Sequence, residues 1–284
     1  MIKIFRKIQF SHNENRMKSI ADTKIARELY YSSKSKNVKF LLNERFSWMN
    51  DFIQDEETGI EVGSGAGFSK DFIKNKNFKL TDIGEDDHLD FKNIDAQSTG
   101  FDSESFDYVI ASNMIHHIPF PIKFFKEMNR IIKKGGKLII FESYCSLVFQ
   151  LATIIMKHEG FDFTLDVWDE KNPKSDEKNA WHGNIAVPHL IFDNKQKFEE
   201  NLGKYFKIEH EKLTECLIFL NSGGVTSKTK YIPMNPFFLK ILNSIDSFLV
   251  RFFLNILNFI DKILVKILPS IFCMGRRLVL TKSN

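Results

Sequence analysis

Apolar positions along this chain change their period several times, and each change marks an element. Val38, Leu41, Leu42, Phe46, Met49 and Ile53 recur at three- and four-residue steps, which predicts a helix with one apolar face. Beyond residue 55 the runs shorten to strand length. Gly59-Ile-Glu-Val62, Phe78-Lys-Leu-Thr81, Phe106-Asp-Tyr-Val-Ile-Ala-Ser112 and Lys137-Leu-Ile-Ile-Phe141 are separated by stretches with turn or helix signals. One helix reads Phe120 to Ile132 and is stopped by Lys133-Lys-Gly-Gly136. Such alternation over about 90 residues predicts a parallel sheet with right-handed crossovers. Residues 144–200 are a long excursion. A sixth strand is expected around Tyr205 to Leu213, and a last one at Arg277-Leu-Val-Leu-Thr281, after an apolar helical segment over 237–272. Four stretches result: 1–54 helical, 55–143 the first half of the sheet, 144–200 the excursion, 201–284 the closing strands.

The turn after the first strand carries the chemistry. Residues 59–67 read Gly-Ile-Glu-Val-Gly-Ser-Gly-Ala-Gly, a helix is expected next, and Asp82 ends the following strand. Glycines let the backbone turn sharply and approach a ligand closely. An acid at that strand tip can accept hydrogen bonds from both hydroxyls of a ribose. A dinucleotide fits poorly. Its fingerprint is Gly-x-Gly-x-x-Gly, whereas here the spacing is Gly63-x-Gly65-x-Gly67. Glu61 beside the turn would repel a pyrophosphate, but it suits a ligand carrying an ammonium group.

The order of these pieces, with Asn93-Ile-Asp95-Ala96 and Asn113-Met-Ile-His-His117 in place, resembles the class I S-adenosylmethionine-dependent methyltransferases, in particular the small-molecule "type 11" domain. The resemblance covers roughly residues 55–143. It implies an α/β fold: a Rossmann-like, doubly wound seven-stranded sheet of order 3-2-1-4-5-7-6 with an antiparallel last strand, an N-terminal helical lid and a C-terminal helical insertion. It implies S-adenosylmethionine as cofactor. Glu61, Gly63, Ser64, Gly65 and Gly67 would line its methionine end, and Asp82 would take the ribose hydroxyls. Asp95 and Ala96 would meet the adenine, and Asn113 and Met114 would lie beneath the cofactor facing the acceptor. The acidic run Gly84-Glu-Asp-Asp-His-Leu-Asp90 departs from the family and is read as a solvated loop.

Composition narrows the partners. Phe alone supplies 29 of 284 residues, so a buried core is available and disorder is not expected. The net charge is +4. Residues 1–230 hold 33 Lys and Arg against 34 Asp and Glu, while residues 231–284 hold 7 against 2. The excess positive charge therefore sits at the C-terminal end. No aromatic-interleaved basic patch is present, so nucleic acid is not expected as a partner. Cys145, Cys216 and Cys273 are odd in number and scattered, as for thiols in a reducing cytosol. The opening Met1-Ile-Lys-Ile-Phe-Arg-Lys-Ile has no uninterrupted apolar region and is not read as a secretory signal. The expected location is cytoplasmic, with the inner face of the membrane left open.

Acceptor chemistry is expected in the excursion, because loops beyond the carboxyl ends of the strands supply specific side chains. Histidine can take a hydroxyl proton near neutral pH, so His117, His158 and His182 are candidate bases for methyl transfer to oxygen. Of the neighbours His116 and His117, one is expected to face the pocket. Trp181 either stacks on a sugar or fills core. No ligands stand at a recognisable metal spacing, so no metal is expected.

The segment 237–272 places Lys240, Ser244, Ser247, Arg251, Asn255, Asn258, Lys262 and Lys266 on one polar stripe. Its longest uncharged run, Phe252 to Ile260, is too short to span a bilayer. Either it packs against the sheet or a second copy of the chain, or it lies in a membrane interface with its cations toward anionic headgroups. A small-molecule or lipid-linked glycan acceptor would suit the second case. The expectation is a methyltransferase using S-adenosylmethionine. The rivals are a binding protein on the same fold and a nicotinamide oxidoreductase.

Overall fold

A computed structural model describes residues 5–10, 23–31, 36–157, 159–177, 179, 182–216 and 248–283. His158, Trp181 and residues 237–247 lie outside them. A short β1 (Lys7–Ile8) precedes α1 (Thr23–Tyr31) and α2 (Lys36–Phe46), and α2 runs into a 3-10 turn at Ser47–Phe52. Next along the chain are β2 (Gly59–Val62), β3 (Phe78–Thr81), β4 (Phe106–Ser112), α3 (Pro121–Ile131), β5 (Ile132–Ser143) and α4 (Leu147–Met156). The rest comprises β6 (Phe161–Asp162), α5 (Val187–Phe192), α6 (Lys195–Leu202), β7 (Phe206–Thr214), α7 (Phe248–Ile267) and β8 (Gly275–Lys282).

The central sheet runs β3-β2-β4-β5-β8-β7. Its first four strands are parallel, and β8 is antiparallel to both β5 and β7. β2 is buried at every residue, as a central parallel strand must be. The antiparallel close agrees with the sequence reading. The seventh strand does not form among the described residues. Where it is expected, beyond β3, one parallel bridge joins Thr81 to Phe91. Asp90 explains why pairing stops there: its carboxylate accepts the Leu80 N–H (2.8 Å) that a neighbouring strand would need.

The helix expected after the glycine turn is a single 3-10 turn, Phe68–Asp71. Only residues 68–77 are available to reach β3. The Asn75 amide fixes that return by donating to the carbonyls of Gln54 (2.8 Å), Asp55 (3.1 Å) and Glu57 (2.9 Å). Residues 82–105 carry no helix either. One sheet face therefore lacks crossover helices and is covered by the N-terminal segment. Phe46 and Met49 pack there against Phe78, Leu80, Tyr108, Ile110, Ile139 and Phe141, with Leu42, Trp48, Phe52 and Ile53 around them. The opposite face is covered by α3, which starts on Pro121 and buries Phe124, Phe125, Met128 and Ile131.

Two further contacts position the site. β1 pairs antiparallel with β6, so the chain's opening residues hold the excursion. At Gly160 the backbones touch: a Cβ there would lie 2.4 Å from the Ile8 carbonyl oxygen. α7 turns Asn258 and Asp261 inward, and Asp261 accepts the Cys216 N–H at 2.8 Å. Ile256, Phe259, Ile260, Ile263 and Ile267 face outward, Phe259 at 66% exposure. The helix thus packs Leu264 and Val265 against Tyr144, Cys216 and Cys273 and leaves those five apolar side chains at its surface.

Gly59 lies under the buried Tyr108 ring, and a Cβ there would fall 2.1 Å from Tyr108 Cζ. Gly59→Ala should destabilise the fold by about 1–3 kcal/mol through overpacking. In chemical denaturation its cost should shrink when Tyr108→Ala is also present, since the two share one contact. A Gly59→Ala midpoint equal to wild type would refute this packing.

Candidate functional site

Because β2, β3 and β4 are parallel and adjacent, the loops at their carboxyl ends gather along one edge of the sheet. After β2 the chain makes a turn in which Gly63, Gly65 and Gly67 all take left-handed φ values of 67°, 51° and 70°. A side chain is strained in that region, and glycine is not. At Gly63 a Cβ would also meet Met114 at 3.1 Å, whereas at Gly65 it would meet nothing within 4 Å. The turn thus packs on one side and is open on the other.

The turn is tied to β3. Ser64 N–H donates to the Thr81 carbonyl (3.0 Å), Thr81 N–H donates to the Ser64 hydroxyl (3.1 Å), and the Thr81 hydroxyl donates to the Glu61 carbonyl (2.9 Å). Asp82, directly after β3, accepts Gly65 N–H on one carboxylate oxygen (2.8 Å) and Gly84 N–H on the other (2.9 Å). Each oxygen keeps a further acceptor site. His88 Nε2 lies 2.7 Å from the Gly65 carbonyl. The acidic run is thus not merely solvated. It folds over the turn, with Asp86 accepting from Thr23 of α1 (2.9 Å), while Arg27 of α1 donates to the Ala66 carbonyl.

Glu61 is buried, and the Ser69 hydroxyl donates to its carboxylate. Burial pushes its carboxyl up to about 8; the Ser69 and Ser64 hydrogen bonds oppose this, and the nearby Asp82 adds to it. Asp95 forms a local turn, accepting Gln97 N–H at 2.8 Å, and Ala96 is buried beside it. Past β4, Asn113 takes a left-handed φ of 49° and donates its N–H to the Phe141 carbonyl (2.7 Å). Met114 closes the turn side of Gly63. Of the sequence-predicted ligand residues, the glycine turn, Asp82 and Asn113–Met114 directly follow β2, β3 and β4, Glu61 lies within β2, and Asp95 and Ala96 lie in the connection from β3 to β4.

His116 and His117 come next, in a 3-10 turn over Ile115–His117. Both reach the same carboxylate. His116 Nε2 lies 3.2 Å from Glu159 Oε2, and His117 Nε2 lies 3.5 Å from Glu159 Oε1. Behind them Glu142, fully buried, meets His116 Nδ1 at 2.7 Å and accepts Ile115 N–H at 2.6 Å. Burial works against a charged His116, but Glu142 and Glu159 outweigh it and lift the imidazole to about 10. His182 lies 3.8 Å from Asp176, and the neighbouring backbone crosses the pair: a Cβ on Gly183 would fall 2.7 Å from His116 Cδ2. Glu142 and Glu159 are not recognisable as partners in the sequence, because no spacing links them to residues 116–117.

Residues 60–140 match the family described as a methyltransferase domain. The phosphatidylethanolamine N-methyltransferase of Cereibacter sphaeroides is 24% identical over 130 residues, 46% of this chain and 57% of that protein. The demethylmenaquinone methyltransferase of Staphylococcus carnosus is 29% identical over 127 residues, 42% and 48% of the two chains. The chain thus spans about half the length of the curated relatives it matches. Among solved structures, a phosphoethanolamine N-methyltransferase from Haemonchus contortus bound to phosphomonomethylethanolamine and S-adenosylhomocysteine aligns over 91% of this chain and 61% of that one, with 12% identity and a TM-score of 0.43. An S-adenosylmethionine-dependent methyltransferase from Methanosarcina mazei aligns over 83% and 96%, with 14% identity and a TM-score of 0.42.

Glu61 gives the site a pH signature. A carboxyl held neutral in the fold but ionised in the unfolded chain costs stability as pH rises from its unfolded value near 4.5 toward 8, and adds no further slope above that. In urea unfolding between pH 5 and 8, the stability of Glu61→Gln relative to wild type should therefore rise with pH. A difference independent of pH would mean that Glu61 is ionised in the folded protein.

Proposed function

We propose that the chain, which carries a class I S-adenosylmethionine-dependent methyltransferase domain over residues 60–140, moves a methyl group from S-adenosylmethionine to an oxygen of a small or lipid-borne acceptor. The observation that carries this reading is the glycine turn held open by Asp82. The donor and acceptor set also suits the cofactor. The left-handed glycine backbone approaches the Asp82 carboxylate, which favours hydroxyl donors or a cation over a phosphate there.

In this reading Glu61 and the 63–67 turn receive the ammonium end, Asp82 takes the ribose hydroxyls on its remaining acceptor sites, and Asp95 with Ala96 meets the adenine. Asn113 and Met114 floor the site. Bound there, S-adenosylmethionine supplies a methyl group open to in-line displacement. The protein's part is to orient the acceptor, exclude water and take a proton. His182 is the described candidate for that last task and His158 a second, whereas His117 is engaged with Glu159. Within the stretch 1–54, α1 acts as the lid, supported by the Thr23–Asp86 and Arg27–Ala66 hydrogen bonds.

The acceptor class draws on two observations. Both relatives are named for membrane-resident molecules, phosphatidylethanolamine and demethylmenaquinone. α7 also presents Ile256, Phe259, Ile260, Ile263 and Ile267 outward in the part of the chain that holds the positive excess. No helix among the described residues is long and apolar enough to cross a membrane. We therefore assign α7 to an anionic bilayer surface, lying in its plane. The names lend no support to a glycan on that lipid.

Titration with S-adenosylhomocysteine and with NAD tests the cofactor. The first should bind and the second should not; binding of neither would favour a non-catalytic role. Asp82→Ala should weaken S-adenosylhomocysteine roughly ten- to hundredfold, about 1–3 kcal/mol, with the fold intact. An unchanged dissociation constant would remove Asp82 from the site. Separately, the protein should float with anionic vesicles and less with neutral ones, with added salt releasing part of it. Phe259→Ser with Ile263→Ser should abolish flotation without loss of stability. Wild-type protein that stays behind at low salt would refute the membrane surface.

A further inference from the structure

The His116, His117 and Glu159 cluster has a geometry that methyl transfer alone does not require. One ligand atom from each residue falls within a 4.8 Å group. Two of its edges are 3.2 and 3.5 Å, His116 Nε2 and His117 Nε2 to the two Glu159 oxygens. A tetrahedral ion with bonds of about 2.0–2.1 Å to nitrogen and oxygen has ligand–ligand edges of about 3.3 Å. The longer edge is poor for a hydrogen bond and suitable for a coordination edge.

Proton bookkeeping points the same way. Glu142 is an acceptor already holding the Ile115 N–H, so His116 presents Nδ1–H to it and Nε2 is the ring atom left to meet Glu159. Between Nε2 and the Glu159 carboxylate, 3.2 Å apart, there must be positive charge, either a proton on Nε2 or a metal ion that replaces it. A proton there serves His116 alone, whereas an ion serves His116, His117 and Glu159 together. A buried carboxylate behind a ligating imidazole is also the arrangement that fixes the tautomer and sharpens metal affinity.

The ligands are held in place by backbone. Asn184 N–H donates to the His116 carbonyl at 2.7 Å, and Asn184 bridges in parallel to Gly160, next to Glu159. The Asn184 side chain also accepts Asp162 N–H at 2.9 Å. Thus the element carrying the carboxylate is locked to the turn carrying the imidazoles. We propose that His116 Nε2, His117 Nε2 and a Glu159 oxygen bind a divalent transition-metal ion of the zinc type, with a coordination position left open. Three protein ligands plus an open position is the pattern of a catalytic rather than a structural zinc site. An acceptor oxygen taken there would become easier to deprotonate. The binding itself does not rest on the methyl-transfer reading.

The full chain, stripped with chelator and dialysed against zinc, should hold one zinc per chain by elemental analysis. X-ray absorption should show only nitrogen and oxygen neighbours, near 2.0–2.1 Å. Glu159→Gln and His117→Ala should each lose stoichiometric zinc, and Glu142→Gln should weaken it about 10- to 100-fold. Circular dichroism and S-adenosylhomocysteine binding show whether each variant remains folded. Three results would overturn the proposal: folded wild type without stoichiometric zinc, zinc retained in a folded Glu159→Gln/His117→Ala double variant, or a sulfur neighbour near 2.3 Å. The last would place the ion at Cys216 and Cys273, whose sulfurs are 3.9 Å apart.

Discussion

The distance the chain is allowed between β2 and β3 governs much of this structure. Residues 68–77 must turn back and reach a parallel neighbour, and a single 3-10 turn is all that fits. The stretch from β3 to β4 adds no helix. A parallel sheet needs apolar cover on both faces. Without crossover helices on one side, that cover comes from Leu42, Phe46, Met49 and Phe52, ahead of the first sheet strand. The N-terminal segment is therefore core as well as cover for the glycine turn.

The same economy shapes the electrostatics. Asp82, just past β3, lies near the buried Glu61 of β2, while the turn after β4 sets His116 between Glu142 and Glu159. Burial penalises ionised Glu61, whereas the carboxylates flanking His116 favour its charge. The buried acid avoids the cost of an uncompensated charge by taking up a proton, and the flanked imidazole avoids it by keeping one.

Local signals were legible in the sequence, and long-range ones were not. The glycine turn and Asp82 could be read because each is fixed by a short window: left-handed φ demands glycine, and a strand tip positions an acid. β5, β7 and β8 were legible from apolar runs. The missing outer strand was not, since it failed through one side chain, Asp90, capping the Leu80 N–H. The polar stripe of α7 was visible, but its direction was not. Asn258 and Asp261 face inward because the Cys216 N–H needs an acceptor, a demand set from another part of the chain. The meeting of Glu159 with His116 and His117 is likewise tertiary, and no spacing announces it.

The pairing of Lys7 and Ile8 with Asp162 and Phe161 has a bearing on the order of assembly. It closes a loop that contains four of the six sheet strands, so the entropic cost of closing it is smallest once those strands are already gathered. Glu159 is adjacent to that seam, and Gly160 is pressed on Ile8. On a ribosome the first residues would wait, unpaired, until residue 162 had emerged. The histidine cluster depends on this long closure through Glu159, whereas the bonds tying the glycine turn to β3 span fewer than 25 residues.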